Sequence, residues 1–119
     1  DAHLARHLCA DLFVDTFCFN AHSTSMDSLW AGLPIVTLIG QSFAARVTAS
    51  FLTTLELTEL IAKTPNEYED IIINLANDSQ MLNQIKSKLI KSRDSNPIFN
   101  SKMSTKSLEE IYLKLVKQL

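Results

Sequence analysis

The spacing of apolar residues along this chain changes partway through, and the change predicts two differently built halves. Leu4 and Leu8 share a helical face, as at the end of a helix continuing from earlier sequence. Asp11-Leu12-Phe13-Val14-Asp15-Thr16 is a short apolar run bounded by acids and reads as a buried strand. A polar and aromatic loop follows over residues 17 to 23. Helical spacing then resumes with Met26, Leu29 and Trp30, so a helix should start at Ser23 or Thr24, where Thr24-Ser25-Met26-Asp27 fits a capping box. Gly32 can end that helix and Pro34 prevents its continuation. Ile35-Val36-Thr37-Leu38-Ile39 predicts a second buried strand stopped by Gly40, and Ser42 to Leu52 a second helix.

Strand, helix, strand, helix is the alternation of a parallel sheet with right-handed crossovers. Beyond Thr54 the pattern becomes helical and increasingly polar. Thr64-Pro65-Asn66-Glu67 combines a capping Thr, a Pro at the first helical position and an acid at the third, and so begins a helix carrying Tyr68, Ile71, Ile72 and Leu75. Another helix is expected over about Ser79 to Ser92. After Asn96-Pro97, Leu108, Ile111, Tyr112, Leu115 and Leu119 form the apolar stripe of a terminal helix, which should pack on something. The organisation expected is one partial domain, with an α/β part over residues 1–57 and a helical part over 58–119.

Composition adds limits. The 119 residues, 46% hydrophobic and 20% charged, suit a single globular core. A formal net charge of −2 gives no broad attraction for nucleic acid. Cys9 and Cys18 lack CxxC spacing and are expected to be reduced, partly buried thiols. No apolar run approaches the roughly 18 residues of a membrane span, and no signal peptide opens the chain, so the expectation is a cytoplasmic protein without a membrane partner.

The candidate chemistry gathers around Asn20-Ala21-His22-Ser23-Thr24-Ser25-Met26-Asp27. A helix whose first turn is Ser-Thr-Ser, placed after a parallel strand, collects unpaired backbone N–H groups and small hydroxyls where the helix dipole favours an anion. The pattern reads as a phosphate seat at the usual ligand position of open α/β sheets. His22 can add a donor and Asp27 can accept from ribose hydroxyls. The same residues also read as an ordinary helix cap, with Asp27 in the capping role. His3 and His7 share a face at the spacing of a metal pair, but no third ligand accompanies them. No nucleophile elbow, Walker lysine or GxGxxG occurs. Trp30 reads as structural and Arg46 as a surface cation.

The run from Ala10 to Thr16, then Asn20 to Thr37, resembles the C-terminal catalytic lobe of O-linked N-acetylglucosamine transferases and their SPINDLY-like relatives. The likeness continues through Phe43 to Ser50, Leu60 to Lys63, Glu67 to Asp70 and Pro97 to Asn100. It implies a truncated C-terminal Rossmann-like lobe of a GT-B glycosyltransferase, with few parallel strands and a helix-rich C-terminal half. It further implies that His22, Ser23 and Thr24 contact a diphosphate, that Asp27 binds ribose, and that His3 and Arg6 lie near a uracil base. Ser23 stands where Thr is more usual and keeps the hydroxyl. The resemblance implies transfer of N-acetylglucosamine from UDP-N-acetylglucosamine to Ser or Thr of protein acceptors, without a cofactor or required metal. The expected partners are the N-terminal catalytic lobe and, in many relatives, TPR repeats. Two alternatives stand beside it: an interaction module that keeps the fold without catalysis, and a transferase using GDP-fucose.

Overall fold

The computed structural model describes residues 2–118. Helix α1 (Ala2–Ala5) runs into a 3-10 turn over Arg6–Cys9, followed by β1 (Phe13–Val14), α2 (Ser23–Ala31), β2 (Ile35–Leu38) and α3 (Val47–Thr54). A 3-10 turn at Thr58–Leu60 leads to β3 (Ile61–Ala62), then α4 (Pro65–Asn77), α5 (Ser79–Ser92), a 3-10 turn at Pro97–Phe99 and α6 (Ser101–Lys117). The strands form a parallel sheet in the order β1-β2-β3. Phe13 pairs with Ile35 and Val14 with Val36, while Thr37 pairs with Ile61 and Leu38 with Ala62. The α/β alternation read from the sequence is therefore present.

Burial explains the arrangement. Leu29 of α2, Ile35 and Val36 of β2, Leu52 of α3, and Leu57 and Leu60 are wholly inaccessible, and Leu75 and Leu89 join them from α4 and α5. Each such side chain contributes about 1.5–3 kcal/mol relative to exposure. β2 is buried on both faces, as a central parallel strand should be. α2 ends at Gly32, whose φ of 87° lets Leu33 N donate to Ser28 O and Gly32 N to Leu29 O, closing the helix with a left-handed cap. A side chain there would meet Ile90 Cγ1 at 3.1 Å, so Gly32 also lets α5 lie close to the end of α2.

Thr64 caps α4 as its sequence predicts, accepting from Glu67 N, and Glu67 Oε2 accepts from Lys63 N at 2.7 Å. α5 spans the predicted Ser79–Ser92, with Asp78 accepting from Met81 N at 2.9 Å.

Several expectations are corrected. β3 lies in the stretch expected to be helical, beyond the 1–57 α/β part, because two residues paired to a buried neighbour leave no alternating pattern to read. The second helix starts at Val47 rather than Ser42, since residues 41–46 turn to let Gly40 N donate to Ala45 O at 2.8 Å. Cys9 and Cys18 are free thiols as expected but exposed rather than partly buried. Trp30, read as structural, is 38% exposed and packs its ring edge-on to Phe99 and beneath the Arg93 guanidinium. α6 begins earlier than predicted and buries none of its residues: Leu108, Ile111, Tyr112 and Leu115 of the predicted stripe are exposed and uncovered by the described residues, and its Leu119 lies outside them. The projecting helix stretches the molecule: the radius of gyration is 15.6 Å, against about 13.5 Å for a compact chain of this length.

Candidate functional site

The site lies at the carboxyl edge of the sheet, where the loop after β1 turns into α2. Asp15 directly follows β1 and is 3% exposed. Its Oδ1 accepts from Thr16 N at 2.9 Å and Ala21 N at 2.8 Å, and its Oδ2 accepts from Thr37 Oγ1 at 2.8 Å. One carboxylate thus ties the beginning and end of the loop to β2. Tyr68 of α4 donates its hydroxyl to Asp15 O at 2.7 Å. Burial raises the Tyr68 phenol above its ordinary value, with the Asp15 charge adding to the effect.

Asn20 completes the frame. It is 1% exposed, donates Nδ2 to Thr16 O at 2.8 Å, and sends its backbone N–H to Ala44 O at 2.9 Å. Among the described residues its Oδ1 is buried without a partner. Ala21 O accepts from both Ser25 Oγ and Thr48 Oγ1, which joins the first turn of α2 to α3. These buried and part-buried bonds tie both ends of the loop to the sheet and to α3, the kind of support that preorganises an electrostatic site.

α2 starts at Ser23, one of the two positions expected, but not through the capping box read from Thr24-Ser25-Met26-Asp27. His22 occupies the cap position without a side-chain cap bond, and Met26 N is the N–H that reaches back to His22 O. The N–H groups of Ser23, Thr24 and Ser25 precede that bond and belong to the helix end that intrahelical bonding cannot satisfy. The Ser23 and Thr24 side chains are exposed there. Asp27 therefore sits in the second turn, too far along to cap. Spacing of three and four residues puts it on the same face as Thr24 and Ser23.

Asp27 meets His3 instead. The His3 Nε2 and Asp27 Oδ2 are 3.1 Å apart, with side chains 47% and 40% exposed. The fold brings together two candidate residues 24 positions apart in sequence. An exposed pair of this kind is worth about 0–1 kcal/mol, too little to hold α1 in place by itself. Arg6 is exposed on the 3-10 turn after α1.

His22 is placed at the helix start, with its ring stacked on Phe19 at 4.6 Å and edge-on to Phe43 at 6.4 Å. Its Nε2 lies 3.4 Å from Ala44 O. A carbonyl only accepts, so this long bond assigns the proton to Nε2 and leaves Nδ1 a lone pair in the neutral ring. His22 also lines a groove of about 610 Å³ with Gln41, Phe43, Arg46, Val47, Ser50 and Phe51. Arg46, read from sequence as an ordinary surface cation, lines the same groove as His22.

Asp15 and Thr48 were not among the candidate residues. An acid at the end of a predicted strand was the available signal for Asp15, and nothing local marked Thr48. Among the described residues no group of three or more His, Cys, Asp or Glu is arranged to hold a metal, and no helix is long and apolar enough to cross a membrane.

Comparison with known proteins gives a consistent picture. Residues 1–108 match the sequence model of glycosyl transferase family 41. The chain is 37% identical over 111 residues to a UDP-N-acetylglucosamine–peptide N-acetylglucosaminyltransferase of Caenorhabditis elegans, covering 93% of this chain and 10% of that protein. It is 32% identical over 110 residues to the probable UDP-N-acetylglucosamine–peptide N-acetylglucosaminyltransferase SPINDLY of Hordeum vulgare, covering 92% of this chain and 12% of the relative. A mutant O-GlcNAc transferase of Thermobaculum terrenum superposes with a TM-score of 0.85 at 33% identity, over 93% of this chain and 21% of that one. The chain therefore spans only about a tenth of the length of these curated relatives.

Proposed function

The chain belongs to glycosyl transferase family 41, and from that membership we propose that it forms the donor-binding part of a protein O-glycosyltransferase. In this reading it acts within a longer protein that moves N-acetylglucosamine from UDP-N-acetylglucosamine to Ser or Thr hydroxyls of protein acceptors. The observation that carries the reading is the meeting of His3 with Asp27 beside the start of α2, where His22 supplies no side-chain cap. A helix start serving only the fold has no need of an acid beyond the capping turn held by a histidine from another element.

The diphosphate is assigned to the N–H groups of Ser23, Thr24 and Ser25 and to the Ser23 and Thr24 hydroxyls. Asp27 takes the ribose hydroxyls, and His3 and Arg6 stand on the base side. As the acceptor oxygen bonds to the anomeric carbon, the bond from that carbon to the diphosphate oxygen breaks and its electron pair leaves with UDP. The acceptor hydroxyl gives up its proton to a base that lies outside the residues assigned here. The helix start stabilises the charge that develops on the leaving diphosphate, with Arg46 adding positive charge nearby, and this electrostatic help requires no metal in principle. The 119-residue chain supplies the leaving-group side of the reaction and is expected to be inactive alone.

Turnover by the full-length protein tests this reading, with UDP-N-acetylglucosamine or GDP-fucose and a Ser/Thr peptide. The expected result is transfer from the UDP donor, reduced about tenfold in kcat/KM by Thr24→Ala, equivalent to about 1.4 kcal/mol. Transfer only from GDP-fucose would reassign the donor, and indifference to Thr24→Ala would remove the helix start from the site.

A further inference from the structure

Among residues 2–11 only His7 is buried, at 8% exposure, and Leu4 is half-buried. This segment carries His3 and Arg6, yet α1 itself buries nothing. His7 Nδ1 is 3.1 Å from Ser28 Oγ on α2. Ser28 has a single hydroxyl proton and donates it to Thr24 O at 2.8 Å. The remaining bond must therefore run from Nδ1–H of His7 to Ser28 Oγ. Nε2 is then a bare acceptor in the neutral ring, buried without a partner among the described residues. The His3 ring packs edge-on against His7, with centroids 5.9 Å apart.

These contacts form one connected path from Thr24 O through Ser28 and His7 to His3, and from His3 to Asp27. We propose that His7 is a positioning residue for the nucleotide donor: its Nδ1–H bond to Ser28 pins the turn carrying His3 and Arg6 onto α2, so that His3 is presented against Asp27. A buried Leu would fill the same space without an unsatisfied ring nitrogen, so packing alone does not account for the imidazole. The exposed His3–Asp27 pair cannot provide the anchoring, because solvent screens it, whereas the Ser28 bond is buried. His7 touches the ligand in no step; it acts through His3. The proposal rests on the donor-site reading above, which it extends to the residue holding the base side in register.

Asparagine and glutamine separate this role from simple packing, because the Asn amide nitrogen lies near the position of histidine Nδ1 and that of Gln nearer Nε2. In the full-length protein, UDP affinity is measured by calorimetry for wild type, His7→Asn, His7→Gln and Thr24→Ala. His7→Asn is expected to stay within about threefold of wild type, and His7→Gln to lose about tenfold, with donor KM rising and kcat retained. Equal affinities for the Asn and Gln variants overturn the proposal. If Thr24→Ala has no effect, the donor-site reading fails; if Thr24→Ala weakens binding while both His7 variants match wild type, only the positioning role fails. Long-range proton–nitrogen NMR of wild type gives a readout independent of variant folding. His7 should be protonated at Nδ1 and bare at Nε2, and the opposite tautomer contradicts the assignment.

Discussion

Replacing Asp15 by Ala removes the acceptor of three hydrogen bonds at once: those from Thr16 N, Ala21 N and Thr37 Oγ1. Thr16 is exposed and its N–H can turn to water, but Ala21 is half-buried and Thr37 is wholly inaccessible. Each donor left inside without a partner costs about 1–3 kcal/mol. With two such donors the expected loss is about 3 kcal/mol, a large share of the roughly 5–15 kcal/mol that holds a domain folded. Asp15→Asn should cost about half as much, since its carbonyl oxygen can still accept from the two backbone N–H groups while its amide faces Thr37. Urea unfolding of the 119-residue chain, followed by fluorescence of its single Trp30, provides the comparison. At a slope of about 1.5 kcal/mol per molar urea, the Ala variant should unfold about 2 M earlier than wild type. An Ala variant within about 0.3 M of wild type, or an Asn variant more damaged than the Ala one, would refute the claim that this carboxylate ties the loop.

Two further changes probe the frame. Tyr68→Phe leaves Asp15 O without its buried donor and should cost about 1–2 kcal/mol in the same assay. Because the folded-state phenol pKa is raised above its unfolded value, the Tyr68 contribution is fully present below about pH 10 and is lost as pH rises through the folded value. Wild type should therefore lose more stability than Tyr68→Phe above that pH, and parallel alkaline profiles would count against it. Gly32→Ala must take a φ of 87° and bring its Cβ to 3.1 Å from Ile90 Cγ1. A loss of about 1–2 kcal/mol is expected, and an unchanged urea midpoint would contradict the left-handed cap.

The parts of the fold legible in the sequence are those whose signals are local. Thr64-Pro65-Asn66-Glu67 carries its own capping chemistry, and α4 begins where it should. Gly32 followed by Pro34 marks the end of α2 for similar reasons. β3 was hidden because its two residues are a strand only through pairing with Thr37 and Leu38. The exposed stripe on α6 shows the reverse case, a helical period that is visible although nothing among the described residues covers it.

The candidate site divides in the same way. The helix start at Ser23 was readable, but Asp27 looked like a capping residue until the true cap at His22 moved it into the second turn. Its contact with His3 is long-range and has no local signature. Asp15, Thr48 and Ser28 support the site through bonds across elements, which spacing along the sequence does not record.

The central claim is that the start of α2, together with Asp27, binds the diphosphate and ribose of a nucleotide-sugar donor. Calorimetric titration of UDP into the full-length protein, with Thr24→Ala and Asp27→Ala in parallel, tests it most directly. The account predicts binding by wild type and a loss of about tenfold or more for each substitution, or about 1.4 kcal/mol; absence of binding by wild type, or equal binding by all three proteins, would contradict it.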